Sequence, residues 1–213
     1  MYLTRFELNL TRRGTQHLLS SPQRVHAAVL ACYPTAEREP TDAGRILWRV
    51  DQANLYILSP HVPDLTGMAE QAGWPTKTTW QTRDYTPLLN RLALGDTWSF
   101  RLTANPVRST VLKEGKRSQR VGHVTATQQQ TWLLDRVEQW GFTIPVGSHK
   151  EPELLLRDRR IWNFDRAGRK VTLSTVVFDG RLTVTDPAAL RTALTHGMGS
   201  AKGYGCGLLT LAR

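Results

Sequence analysis

Cysteine is nearly absent from this chain. Cys32 and Cys206 are the only two among 213 residues, and they lie far apart in the sequence. This spacing fits free thiols in a reducing cytosol and lacks the C-x-x-C pairs that bind zinc. The six histidines form neither an H-E-x-x-H motif nor a close pair. We therefore expect no metal site.

Long apolar runs are missing as well. No segment is apolar for long enough to cross a bilayer, and residues 1–10 alternate like a β-strand instead of resembling a signal peptide. We expect a cytoplasmic protein without a membrane partner. The apolar fraction of 40%, which includes seven tryptophans, is still sufficient for a packed core.

Positive charge is in excess, with a formal net charge of +10 at pH 7. Residues 101–120 carry a net charge of +5 and residues 157–170 carry +4. Such focusing favours a nucleic-acid partner over simple solubility, although two solvated surface loops are the alternative. The side chains predicted to bind RNA are Arg108, Lys113, Lys116, Arg117, Arg120, Arg157, Arg159, Arg160, Arg166, Arg169 and Lys170.

The first half of the chain alternates between strand and helix patterns. Residues 2–10 have a period of two, and Ser21 with Pro22 is a typical helix start that precedes an apolar stripe. The predicted elements that follow this helix are strands at 45–50 and 54–58, a helix at 64–72 and a strand at 78–85. The resulting β-α-β-β-α-β order is that of a ferredoxin-like domain.

The second half repeats that order. Its predicted elements are a strand at 96–106, a helix at 127–141, a strand at 142–146, an arginine-rich hairpin at 157–170, strands at 171–178 and 181–185 around a turn at Asp179-Gly180, a helix from Asp186 to His196 and a strand at 208–211. The predicted fold class is therefore α+β. We expect two tandem ferredoxin-like domains that cover residues 1–90 and 91–213.

The segment before the last strand is dense in glycine. Lys202 lies among the glycines, which are Gly197, Gly199, Gly203, Gly205 and Gly207. This density indicates positive φ angles or a close approach of the backbone, and such a loop with a lysine can cradle a phosphate. The loop leads into a strand and lacks Gly-Lys-Ser/Thr, so it is no P-loop, and we expect no small-molecule cofactor. A flexible tail is the alternative, but the apolar residues that follow oppose it.

RNA can be cleaved without a metal because the 2′-OH beside each phosphate is a built-in nucleophile. Cleavage needs a general base, a general acid and positive charge around the phosphorane, and histidine suits both proton transfers. His26 is the best placed, in the second turn of the predicted helix and at the edge of its apolar face. Arg24 and the helix start could hold an anion nearby. A half-buried surface histidine without a catalytic role is the alternative.

Four segments together resemble the CRISPR-associated repeat-RNA endoribonucleases of the CasE branch, which occur in type I-E Cascade complexes. They are Met1-Tyr-Leu-Thr, Phe100-Arg-Leu-Thr-Ala-Asn-Pro106, Val177-Phe-Asp-Gly-Arg-Leu-Thr-Val184 and the glycine-rich loop with Leu208-Leu209. The resemblance spans essentially the whole chain and implies tandem ferredoxin-like domains. It also implies binding of the CRISPR repeat hairpin in precursor RNA and one metal-independent cut at its 3′ base. The mature crRNA, which ends in a 2′,3′-cyclic phosphate, would then stay bound among the other Cascade subunits.

The resemblance also implies roles for individual residues. The catalytic histidine of the family lies a few residues after the start of the first helix, and this position matches His26. Some relatives carry a tyrosine three residues earlier, where this chain has Gln23, whose amide cannot act as a general acid or base. Candidates for a supporting catalytic group are Arg24, Tyr33 and Lys202.

Residues 157–170 match, by position and charge, the basic hairpin with which the family approaches the major-groove side of its RNA. Three other functions stay open. One is a non-catalytic RNA-binding module, another is a repeat-RNA-binding subunit of the same complex that has lost cleavage, and the third is a duplex DNA binder. The third is disfavoured because the sequence has no helix-turn-helix or zinc-finger spacing. Cleavage of the repeat RNA would distinguish the enzyme from all three.

Overall fold

The computed structural model describes residues 1–110, 119–148, 150–166 and 168–213, with only the backbone described at 119 and 120. In chain order its elements are β1 (Tyr2–Glu7), α1 (Arg13–Leu19), α2 (Pro22–Ala31), β2 (Leu47–Asp51), β3 (Asn54–Ser59), α3 (Thr66–Ala72), β4 (Trp80–Asp84), α4 (Thr86–Arg91), β5 (Thr97–Ala104), β6 (Val107–Thr110), β7 (Gln119–Gly122), α5 (Ala126–Leu134), β8 (Phe142–Thr143), β9 (Leu154–Arg166), β10 (Arg169–Val184), α6 (Pro187–His196) and β11 (Leu209–Ala212). No helix among them is both long and apolar enough to cross a membrane.

The two main sheets have the same strand order. The first is β2-β3-β1-β4 and the second is β11-β5-β10-β8, with the long strand β9 also paired to β10. Each follows the ferredoxin-like order, in which the first and third strands of the unit are central. Strands β6 and β7, which overlap the first basic segment at residues 101–120, form a separate pair. The predicted repetition of one architecture in both halves is thereby confirmed.

Helix α2 begins where the sequence predicts. The side chain of Ser21 caps it by accepting a hydrogen bond from the backbone N–H of Gln23, and Pro22 occupies the first turn. The apolar stripe that contains Val25 and Val29 packs into a buried cluster with Phe6 of β1. The helix α1 was not predicted, because in its seven residues only Thr15 and Leu18 are buried and no apolar period is visible.

The predicted turn at Asp179-Gly180 is wrong, because β10 runs through both residues without a break. Asp179 lies opposite Arg101 of β5, and Gly180 lies opposite Phe100. A Cβ atom at Gly180 would come within 2.4 Å of the carbonyl oxygen of Glu153. Glycine therefore allows close packing of neighbouring strands here instead of a reversal of the chain.

The predicted helix at 127–141 is shorter in the structure. Helix α5 ends at Leu134, and a 3₁₀ turn at Glu138–Trp140 precedes Gly141, which has a φ of 81°. A Cβ atom at Gly141 would lie 2.2 Å from the carbonyl oxygen of Asp186, so the chain passes close to the start of α6 at this point. This close approach ends the tryptophan-rich segment, which consists of α5 and the 3₁₀ turn.

One of the two buried clusters joins the two sheets. Leu47 of β2 and Leu58 of β3 belong to the same apolar cluster as Leu102 of the second sheet. Arg49 of β2 is only 3% exposed. Its Nη1 donates to the carbonyl oxygens of Arg101 (3.0 Å) and Leu208 (3.1 Å), and its Nη2 donates to Oγ1 of Thr210 (3.0 Å). Although burial lowers its pKa to about 10, Arg49 is charged at neutral pH.

Helix α4 connects the two sheets. The predicted division between residues 90 and 91 falls near the end of this helix, which is Thr86–Arg91. The guanidinium of Arg191 on α6 donates to the carbonyl oxygens of Leu89 (2.8 Å) and Leu92 (3.2 Å), so the connection is held against the second sheet's helix. The division itself stays a prediction.

Replacing Arg49 with leucine should lower the free energy of unfolding by about 3 kcal/mol, because buried carbonyl groups would lose their charged donor. Urea denaturation of both proteins measures this difference. Arg181→Leu is the control, since Arg181 is mostly exposed and lies 3.5 Å from Glu153. We expect it to cost less than about 1 kcal/mol. Equal effects of the two substitutions would contradict a special role of Arg49 at the junction.

Candidate active site and RNA-binding surface

His26 lies in the second turn of α2 and is half-buried against the glycine-rich loop. Its ring meets the ring of Tyr204 edge-on, with 6.3 Å between the centroids. A Cβ atom at Gly203 would lie only 3.3 Å from Cε1 of His26. Glycine at 203 therefore leaves room for the imidazole. The buried Nδ1 has no hydrogen-bond partner among the described residues.

The surroundings of His26 favour its neutral form. Burial lowers the pKa of His26 below 6.5, and the positive charges of Arg166 and Arg45 lower it further. A neutral imidazole can accept a proton, so His26 is available as a general base at neutral pH. Arg166 comes from the end of β9 and Arg45 from the segment before β2. Together they add positive charge where an anion could bind beside the imidazole.

Tyr204 connects the His26 helix to the basic hairpin. Its ring contacts Phe164 of β9 edge-on, with 5.0 Å between the centroids, and the guanidinium carbon of Arg166 lies 5.9 Å from the Tyr204 centroid. The next residue, Gly205, lies against Trp48, because a Cβ atom there would be 2.7 Å from the indole. The glycine-rich loop thus packs between α2, β2 and the hairpin.

Positive φ angles occur in the glycine-rich loop, as its composition predicts. They are found at Gly197, Gly199, Gly205 and Gly207, and at Ala201, whereas Gly203 has an ordinary φ and serves the close approach of His26. Lys202 is half-buried in this loop, and its Nζ donates to the carbonyl oxygen of Gly199 at 2.7 Å. Burial lowers the pKa of Lys202, and the charge of Arg45 adds to this effect.

Two of the predicted supporting residues lie away from the imidazole. Arg24 is exposed and donates to Oγ of Ser20 and to the carbonyl oxygen of His17, so its guanidinium is turned toward the end of α1. It is also about 200° from His26 around the helix. Tyr33 is buried, and its hydroxyl donates to Oγ of Ser59 at 2.8 Å. Burial raises the pKa of the Tyr33 hydroxyl, which makes it a poor acid. Neither residue is placed to assist His26.

The sequence did not point to Arg45, Tyr204 or Phe164, which approach His26 or its immediate neighbour. Only Tyr204 had a signal in the sequence. An aromatic residue between two glycines indicates that its ring packs against another part of the protein. Arg45 and Phe164 belong to other parts of the chain and come to the site only through folding.

The predicted basic hairpin at 157–170 is formed by β9 and β10, which pair antiparallel. The exposed members of the predicted RNA-binding set are Arg108, Arg159, Arg160, Arg166, Arg169 and Lys170. Arg157 is different, because it is partly buried and its Nε donates to Asp179 at 2.5 Å. Lys113, Lys116 and Arg117 lie outside the described residues, as does the side chain of Arg120.

A family model with the description "CRISPR associated protein" matches residues 1–213. The chain belongs to this family. It is 30% identical over 219 residues to the CRISPR-associated endoribonuclease Cse3 of Thermus thermophilus, with all of both chains covered. It is also 32% identical over 124 residues to the Cascade subunit CasE of Escherichia coli, which covers 57% of this chain and 61% of that protein. The resemblance to the CasE branch is confirmed.

Solved structures of the same branch agree with the fold. The structure of Thermus thermophilus Cse3 bound to an RNA representing a pre-cleavage complex superposes with a TM-score of 0.80 and 26% identity, and covers 100% of this chain and 98% of that one. Cas6e from Escherichia coli superposes with a TM-score of 0.67 at 21% identity, over 100% and 99% of the two chains. The predicted tandem ferredoxin-like fold of this CRISPR-associated protein is confirmed.

Replacing Arg166 with glutamine should raise the pKa of His26 toward 6.5, because it removes one of the two nearby positive charges. An NMR titration of the His26 ring protons measures the change. The matched control is Arg169→Gln, which removes an exposed charge from the first residue of β10. Equal shifts in both variants, or none in either, would show that Arg166 does not act on His26 specifically.

Proposed function

We propose that this CRISPR-associated protein is an endoribonuclease that cleaves the repeat hairpin of precursor CRISPR RNA at its 3′ base without a metal. The observation that carries the proposal is the position of His26, half-buried and with a lowered pKa, between the glycine-rich loop and Arg166 of the basic hairpin. The family supports the activity, since one relative is named an endoribonuclease and a solved relative holds an RNA in a pre-cleavage complex.

In the proposed reaction His26 accepts the proton of the 2′-OH that precedes the scissile phosphate. The 2′-oxygen attacks phosphorus, the 5′-oxygen of the next nucleotide leaves and takes up a proton, and the products are a 2′,3′-cyclic phosphate and a 5′-OH. Arg45 and Arg166 would stabilise the negative charge of the phosphorane. Lys202 is the supporting residue we retain, because burial lowers its pKa and so favours proton donation.

The two predicted domains, residues 1–90 and 91–213, would contribute different parts of the active site. The first supplies His26 and Arg45, whereas the second supplies the glycine-rich loop and the hairpin. The exposed cations of the hairpin would bind RNA phosphates, and Arg108, exposed on β6, would add a further phosphate contact. A relative is named a Cascade subunit, which supports retention of the mature crRNA by this protein among other Cascade subunits in the cytoplasm.

The second candidate function is a non-catalytic subunit that only binds the repeat RNA. Gln23 is the observation that favours it. Its amide cannot transfer a proton, and its Oε1 is buried without a hydrogen-bond partner among the described residues. Binding is common to both functions, so only a cleavage assay separates them.

His26→Ala should abolish cleavage of the repeat RNA from the protein's own genomic array, with a loss of at least about 100-fold, because a proton acceptor is removed. Affinity should change little, since no phosphate contact is lost. The assay uses excess EDTA, gel analysis of the products and a filter-binding titration. His17→Ala, which alters an exposed histidine on α1, is the matched control and should cleave normally.

A repeat RNA with 2′-deoxyribose at the scissile nucleotide completes this experiment. It should bind as well as the intact RNA and stay uncut. Cleavage of this RNA would mean that water is the nucleophile and would contradict the proposed reaction. Tight binding of intact RNA by the wild-type protein, without any cut, would instead favour the non-catalytic function.

Replacing both Arg159 and Arg169 with glutamine should weaken RNA binding and flatten its salt dependence. Each lost phosphate contact should reduce the slope of log K against log salt by about 0.7–0.9, because fewer counterions are released on binding. Titrations at several salt concentrations measure the slope. Arg83→Gln, at an exposed position on β4 of the first sheet, is the control. An unchanged slope in the hairpin variant would remove these residues from the interface.

A further inference from the structure

A cavity of about 430 Å³ lies between the two sheets, beside the His26 helix. Pro22 and Val25 of α2 form part of its wall, and Tyr204, which contacts His26, forms another part. Its volume lies within the range of small-molecule binding pockets. The catalytic mechanism described above does not use this space, which we call the inter-sheet cavity.

The inter-sheet cavity is lined by planar side chains. Trp48, Trp162 and Tyr204 contribute aromatic rings, and the guanidinium carbon of Arg160 lies 3.6 Å from the centroid of Trp162. Unpaired RNA bases stack on aromatic rings and on arginine planes, and each stacked base contributes about 1–3 kcal/mol to binding. These walls therefore suit a flat, aromatic ligand.

The same walls offer hydrogen-bonding groups. Asp158 lines the cavity at an irregularity of β9, where it has a φ of 50° and where the pairing register with β10 shifts. Arg160 lines it as well. The wall thus carries a carboxylate and a guanidinium, and the edge of a nucleobase needs both acceptors and donors.

We propose that the inter-sheet cavity receives one unpaired nucleobase of the RNA, from a nucleotide adjacent to the cleaved phosphate. This inference rests on the proposed function. The cavity shares α2 and Tyr204 with His26, so a base held there would belong to a nucleotide close to the imidazole. Extrusion of that base would also fix the sugar that carries the attacking 2′-OH.

The test compares the intact repeat RNA with RNAs that lack a single base, one position at a time, on either side of the cut. Loss of the critical base should weaken binding to the wild-type protein by about 5- to 150-fold, from the stacking energies above. In Trp162→Leu, the difference in binding between intact and base-lacking RNA should be markedly smaller, because one stacking partner is gone. Arg160→Leu is a second variant that tests the same wall, and Ile161→Ala, exposed on the same strand, is the control that should still discriminate.

Each outcome either supports or contradicts the inter-sheet cavity as a nucleobase site. If every base-lacking RNA binds and is cut like the intact one, the nucleobase site is wrong while the proposed function stands. If both Trp162→Leu and Arg160→Leu still discriminate like the wild type, the base binds elsewhere and the inference falls. If the wild-type protein neither binds nor cuts the intact repeat, the proposed function fails, and the nucleobase site fails with it.

Discussion

The guanidinium of Arg49 donates to the main chain at Arg101 and Leu208, and this ties the edge strand of the first sheet to the second sheet. Leu47 and Trp48, the two residues before Arg49 in β2, pack against the glycine-rich loop. A Cβ atom on Gly197 would lie 2.7 Å from the side chain of Leu47, and a Cβ atom on Gly205 would lie 2.7 Å from the ring of Trp48. Both ends of the glycine-rich loop are therefore seated on β2, and the position of Tyr204 against His26 follows from this seating.

The candidate active site is composite as a consequence. Each half of the chain supplies only part of the site. His26 and Arg45 precede β2 in the first half, whereas Tyr204 and Arg166 belong to the second half. Burial and both arginines act on the pKa of His26 in the same direction. A bound phosphate would oppose the two charges, so the arrangement keeps His26 a free base before RNA arrives and helps it hold a proton afterwards.

The parts of this structure that depend on neighbours in sequence were predictable. The cap at Ser21, the apolar stripe of α2 and the order of strands and helices are local patterns, and the fold followed from them. Contacts between segments that are distant in sequence could not be predicted. Arg24 is close to His26 in sequence but lies on another side of the helix, and Tyr33 is a core residue whose hydroxyl is bonded to Ser59. The approach of Arg45 to the site has no sequence signal, because only the packing of β2 brings it there.

Not every arginine in the two basic segments is available to RNA. Arg101 and Arg157 both donate to the carboxylate of Asp179, and Arg101 also donates to Asp51 of the first sheet. Burial by itself raises the pKa of Asp179, but these hydrogen bonds outweigh it and hold the pKa below its ordinary value, so the group is an anion at neutral pH. The ion pairs anchor the base of the hairpin while its other cations stay exposed. One charged segment therefore has an ion-paired root and an exposed tip, and only the tip is free for the phosphate binding that we propose; net charge alone could not separate the two parts.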